Sequence, residues 1–185
     1  MTAKNRAILL IFISILILAI LSVITYYYIK MNRLSKSKAS QSDKNVQAFL
    51  KMIRIGEGTS GANGYKTLYG GTLFNDYSKH PNIKITAGAW TSTAAGAYQF
   101  LFRTWNELAT KYNIKDFTPE SQDLGAIIKI DERGALDLVK AGKFDEAVKK
   151  VNKEWASLPG SPYGQPTVSL AMIRQKYIEY GGKIA

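Results

Sequence analysis

Residues 7–29 contain no charged side chain and are dominated by Ile and Leu. As an α-helix these 23 residues reach about 35 Å, enough for the roughly 30 Å hydrocarbon core of a bilayer. The run has no polar face, which argues against the core helix of a soluble fold. Tyr26, Tyr27 and Tyr28 stand where an interfacial aromatic belt belongs. The run exceeds the roughly 7–15-residue apolar core of a signal peptide, and no small-x-small cleavage site directly follows it. The sequence therefore predicts a single membrane-spanning helix over 7–29 behind a short tail at 1–6. Lys4 and Arg6 precede it, and Lys30, Arg33, Lys36 and Lys38 follow it, so basic charge does not fix its orientation. Residues 30–45 are polar, basic and Ser/Lys-rich and read as a tether. A soluble domain then starts near Val46.

The 185 residues have room for one domain beyond this segment. The formal net charge is +11. Residues 46–185 carry 18 Lys+Arg against 13 Asp+Glu, so most of the excess lies near the apolar run. That charge suits an anionic surface (cell wall, membrane or nucleic acid) without choosing among them. No nucleic-acid motif and no internal repeat is present. The absence of cysteine excludes a disulfide framework and thiolate metal sites. His80 is the only histidine, which leaves little scope for a Ser-His-Asp triad or a multi-histidine metal site. There is no Walker loop, dinucleotide fingerprint, His-Glu-x-x-His pair or Gly-x-Ser-x-Gly elbow.

The soluble domain opens with Val46, Phe49, Leu50 and Ile53 at helical spacing, with Asp43 or Asn45 as cap. This helix runs into Glu57, held between Gly56 and Gly58. A carboxylate at a helix C-terminus meets partial negative charge, which raises its pKa and suits it to general-acid work. Taken from this stretch alone, Glu57 is equally readable as a solvated loop residue. Around Gly70-Gly71 two short segments suggest a small hairpin, and Ile83 and Ile85 suggest a brief strand. Helical faces follow: Phe102 to Tyr112, a helix opened by Thr118-Pro119, Ala135 to Ala141, Phe144 to Trp155, and Val168 to Tyr180. The fold class is α+β, mainly helical, with a small sheet after Glu57.

Sugar sites combine aromatic faces with amide and hydroxyl groups. Tyr98-Gln99, after Ser92-Thr93-Ala94-Ala95-Gly96, has that make-up, as does Tyr163-Gly164-Gln165. Tyr98 and Tyr163 also fit as half-buried edges of the core. Asp76 is the nearest downstream carboxylate that could partner Glu57 in a two-carboxylate glycosidase. It fits equally as an Asx-turn residue in Asp76-Tyr77-Ser78. His80 before Pro81 reads as a loop hydrogen-bonder.

FLKMIRIGEGT, GGTLFNDYSKHP, STAAGAYQF, DFTPESQD, ERGAL and WASLPGSPYGQ occur in this order over residues 46–183. Together they resemble the endolysins of lambdoid bacteriophages. The resemblance implies a lysozyme-like fold at 46–185 and cleavage of the MurNAc–GlcNAc bond of peptidoglycan. It further implies a lytic transglycosylase that leaves 1,6-anhydro ends, with no cofactor or metal. Glu57 matches the catalytic glutamate. Asp76, Tyr77, Ser92, Tyr98, Gln99, Tyr163 and Gln165 fall in matched segments and are expected to bind substrate. The partners implied are glycan strands, the host inner membrane through 7–29 and a holin; the chain is expected to act as a monomer and to bind no nucleic acid. Two departures stand out: the Glu57–Gly70 segment is short, and Ala97 replaces an Arg before Tyr-Gln. The apolar N-terminus is also extra to the soluble family pattern. Segments that export a domain and later leave the membrane tend to be Gly- and Ala-rich. An Ile/Leu-rich run without Gly instead predicts a stable anchor, with the catalytic domain facing the periplasm or wall. A hydrolysing muramidase using Glu57 with Asp76, and a non-catalytic wall-binding protein, are the alternatives.

Overall fold

A computed structural model of the chain describes residues 2–88 and 90–185. Its contacts divide it into two units, Met1–Lys36 and Ser37–Ala185. The first is the bulk of one helix, α1 (Ala3–Ala39), whose apolar side chains are exposed. Among the described residues α1 is the one helix long and apolar enough to cross a membrane, with a mean hydropathy of 3.3 over its most apolar window. The helix continues to Ala39, so residues 30–39 are not the coil that their composition suggests. Lys, Arg, Leu and Met favour helix, and neither Gly nor Pro interrupts them. The second unit runs from Ser37, and Ser37 and Ser40 are buried in it.

In the second unit α2 (Lys44–Gly56) is capped by Asp43, whose side chain accepts from the Val46 amide at 3.1 Å. Asn45 instead links the chain ends, accepting from the Lys183 amide at 2.8 Å and donating to the Lys140 carbonyl at 3.1 Å. The buried stripe of α2 is Val46, Ala48, Phe49, Leu50, Met52 and Ile53. It packs on α7 (Leu170–Glu179), α5 (Leu136–Lys140) and α4 (Pro119–Glu132). The Phe49 ring meets Phe144 of α6 (Phe144–Val151) at 6.0 Å and Tyr177 of α7 at 6.3 Å. Helix α4 buries Gln122, Leu124 and the run from Gly125 to Ile128 and packs on both α2 and α5. Thr118 caps it and Pro119 fills its first position, as the sequence predicts.

The sheet is one antiparallel pair, β1 (Ile85–Ala87) and β2 (Trp90–Ser92), with Ala87 opposite Trp90 and Ile85 opposite Ser92. Around Gly70-Gly71 the expected hairpin shrinks to a 3₁₀ turn, Tyr69–Gly71, closed by an isolated bridge between Thr67 and Leu73. Helix α3 (Phe102–Tyr112) carries Trp105 into a second aromatic cluster, 4.6 Å from Phe117. His80 lies 4.8 Å from the same Phe117 ring. Its Nδ1 accepts from the Asn82 amide, so its Nε2 holds the proton and donates to the Phe100 carbonyl at 2.7 Å. Burial keeps this imidazole neutral by pulling its pKa down, and its role is structural.

Candidate active site

Glu57 is held where α2 stops. Gly58 takes the left-handed conformation, φ 69, that an L side chain resists. Its amide then donates to the Ile55 carbonyl at 3.1 Å, and the Thr59 amide to the Arg54 carbonyl at 2.8 Å. These two bonds form a Schellman cap and fix Glu57 as the last half-helical residue. Arg54 braces the following loop, donating to the Thr59 and Gly61 carbonyls and lying 4.6 Å over the Tyr65 ring.

Thr59 ties this corner to the distant STAAGAYQ segment, its hydroxyl donating to the Ala97 carbonyl at 2.5 Å. Gln122, fully buried, completes the tie. Its Oε1 accepts from the Ala97 amide at 2.8 Å, and its Nε2 donates to the Phe117 and Tyr65 carbonyls. Below them Tyr65 and Tyr98 both donate to Oδ1 of Asp123, at 2.8 and 2.6 Å. Burial pushes the Asp123 carboxyl upward, with the two tyrosine bonds opposing it, and the Tyr65 hydroxyl is pushed up to about 12.

Glu57 opens on a cavity of about 1010 Å³. Burial raises its carboxyl above the ordinary 4.5, and a hydrogen bond from Ser157 partly offsets this. The direction agrees with the sequence expectation. The largest cause is desolvation by burial. Ser157 Oγ donates to Glu57 Oε1 at 2.6 Å. Among the described residues Glu154 is the other carboxylate lining the cavity. It is engaged elsewhere, accepting from Arg133 at 2.8 Å and pairing with Lys129 at 3.1 Å.

Of the residues expected to bind substrate, Ser92, Tyr98, Gln99, Tyr163 and Gln165 line this cavity with Glu57. Tyr98 is only 2% exposed and gives its hydroxyl to Asp123, so it supports the wall from behind. Gln99 sits at φ 47 and donates its amide to the Thr67 and Gly96 carbonyls. Ser92 Oγ accepts from the Ala94 amide. Tyr163 is exposed, its hydroxyl pinned to the Lys153 carbonyl at 2.9 Å. Gln165 is exposed.

Asp76 and Tyr77 lie outside the cavity lining. Asp76 forms the Asx turn, accepting from the Ser78 amide at 2.7 Å and its hydroxyl at 2.8 Å. Those bonds hold the exposed carboxylate below its usual range. Tyr77 packs its ring on Phe74, 5.6 Å away, and its carbonyl accepts from the Phe117 amide. Trp90 and Ser157 line the cavity and carry no local sequence signal that singles them out. Among the described residues no group of His, Asp and Glu is arranged to hold a metal ion.

A family model described as Endolysin matches residues 47–184. The endolysin of Escherichia phage lambda is 39% identical over 145 residues, covering 75% of this chain and 92% of the relative. The endolysin of Escherichia phage P2 is 36% identical over 155 residues, covering 75% of this chain and 94% of the relative. Among solved structures, a bacteriophage lambda lysozyme complexed with a chitohexasaccharide superimposes with a TM-score of 0.75 at 37% identity, over 78% of this chain and 99% of the other. A second structure of lysozyme from bacteriophage lambda gives a TM-score of 0.72 at the same identity and coverage. By sequence and by fold, the chain belongs to the endolysin family.

Proposed function

We propose that this endolysin cleaves the MurNAc–GlcNAc β-1,4 bond of peptidoglycan as a lytic transglycosylase, with Glu57 acting as acid and then base. The observation that supports this is one half-buried carboxyl with a raised pKa, accompanied among the described residues lining its cavity by no carboxyl but the ion-paired Glu154. Glu57 gives its proton to the glycosidic oxygen as the C1–O bond breaks. The C6 hydroxyl oxygen of the same muramic residue then bonds to C1. Glu57, now a carboxylate, takes the proton that this hydroxyl loses. The glutamate ends protonated, no water is consumed, and no second carboxylate is required. A glycan substrate is further supported by the chitohexasaccharide held by the lambda lysozyme.

Mass analysis of muropeptides released from purified peptidoglycan tests the reaction. Products lacking one water at the muramic end are expected. Hydrated ends would instead establish a hydrolysing muramidase, and binding without release a wall-binding protein. Glu57→Gln is expected to lower turnover by roughly 10²–10⁴-fold.

The N-terminal helix supports a second part of the reading: α1 anchors the enzyme in the host inner membrane, with the catalytic unit on the wall side. Its exposed Ile/Leu surface and the Tyr26–Tyr28 belt suit a bilayer and its interface. Fractionation with mass measurement of the intact chain checks this. A full-length protein in the soluble periplasmic fraction would refute stable anchoring.

A further inference from the structure

Trp90 is 75% exposed, whereas Trp105 and Trp155 are 4% and 3% exposed. Single exposed apolar residues are ordinary. Trp90 differs in where it stands: it lines the cavity that contains Glu57, as does Leu101, itself 49% exposed. Among the described residues no aromatic ring and no cation stacks on the indole. Its backbone is nevertheless braced. Trp90 opens β2 opposite Ala87, and the next rung is locked by Thr86 and Thr91, whose hydroxyls are 2.8 Å apart. Gly88, at φ 61, provides the tight return between the strands. Strand β1 packs on the Tyr69–Gly71 turn, which also lines the cavity. A large flat apolar face is thus presented to solvent on a fixed support at the edge of a polar-and-aromatic cavity. The flat C–H faces of pyranose rings are its chemical complement.

We propose that Trp90 binds substrate by stacking on a sugar ring of the glycan strand. This rests on the glycan-cleaving reading above and extends it to a residue outside the matched motifs. The stacked ring contributes to holding the strand rather than to proton transfer, so its loss acts on KM.

Because the other two tryptophans are buried, acrylamide quenching of the full-length Glu57→Gln protein in detergent micelles reads Trp90 directly. Chitohexaose is the probe. The sugar is expected to shield the accessible tryptophan, and Trp90→Phe to abolish the accessible component. On purified peptidoglycan, Trp90→Ala in the otherwise wild-type chain is expected to raise KM roughly tenfold with kcat nearly unchanged, and Trp90→Tyr to recover most of the loss. An unchanged KM in Trp90→Ala overturns the proposal. So does calorimetric binding of chitohexaose that leaves Trp90 equally quenchable. If the wild-type chain leaves peptidoglycan intact, the glycan-cleaving reading itself falls and this proposal with it. Retained cleavage with an unmoved KM removes Trp90 alone.

Discussion

Ser157 Oγ sits 2.6 Å from Oε1 of Glu57, joining residues 100 positions apart in sequence. The serine donates, so it favours the carboxylate and opposes the upward push of burial. Removing it raises the Glu57 pKa further. A general acid works while protonated, so the alkaline limb of kcat/KM marks its ionisation. Ser157→Ala is expected to move that limb to higher pH. Turnover should fall as well, by less than the roughly 10²–10⁴-fold expected for Glu57→Gln, because the carboxyl is retained but less well aimed. A pH–rate profile on peptidoglycan checks both effects.

Gly56 makes this contact possible. A Cβ added there would lie 2.4 Å from Ser157 Oγ and 3.1 Å from Ser157 Cβ. The easiest relief is rotation of the hydroxyl away from Glu57. Gly56→Ala therefore should reproduce the Ser157→Ala pH shift. Its cost in stability should be small, since Ala gains up to about 1 kcal/mol of helix propensity over Gly. In a Ser157→Gly background the same change should cost no further activity. A double-mutant cycle in kcat/KM measures that coupling.

These relationships show what could be read from the chain and what could not. The stripe Phe49, Leu50 and Ile53 is local periodicity, so the helix leading to Glu57 was legible, as was the Thr118-Pro119 start of α4; the cap of α2 was narrowed to Asp43 or Asn45, and tertiary contacts of Asn45 leave it to Asp43. Ser157 was not, because only tertiary packing brings it to Glu57. Tyr98 and Gln99 looked alike as sugar contacts in a Gly/Ala-rich stretch. A half-buried carboxyl on α4, Asp123, claims the Tyr98 hydroxyl, and backbone carbonyls claim the Gln99 amide. Trp90 was missed because one aromatic in a Thr/Ser/Gly-rich loop has no period. Residues 30–39 illustrate a different limit: Ser/Lys-rich composition is shared by flexible tethers and by charged helices, and here it is helix.

Tyr98 is expected to matter for stability more than for binding. Tyr98→Phe leaves the half-buried Asp123 with one tyrosine donor, Tyr65, in place of two. Losing a hydrogen bond to a half-buried carboxyl in this way costs about 1–3 kcal/mol. Tyr163→Phe removes a hydroxyl bonded to the Lys153 carbonyl at an exposed site and should stay within about 0.5 kcal/mol. Urea denaturation of the two variants side by side separates a supporting tyrosine from a surface one.

Glu57 itself should destabilise the fold at neutral pH. Its native pKa lies above the ordinary 4.5 because burial disfavours the charged form. Between 4.5 and that raised value the native state keeps a proton that the unfolded chain has lost. The native state therefore binds more protons, and stability falls as pH rises through the window. Below 4.5 both states are protonated and the penalty vanishes; above the raised value it is complete. Glu57→Gln keeps the shape, still accepts from Ser157 and carries no charge. It is expected to melt at a higher temperature than the wild type near neutral pH, with the difference closing as the pH falls below 4.5. Thermal denaturation of both proteins across that range measures it. A gap that widens on acidification would mean that Ser157 stabilises the carboxylate by more than burial costs it.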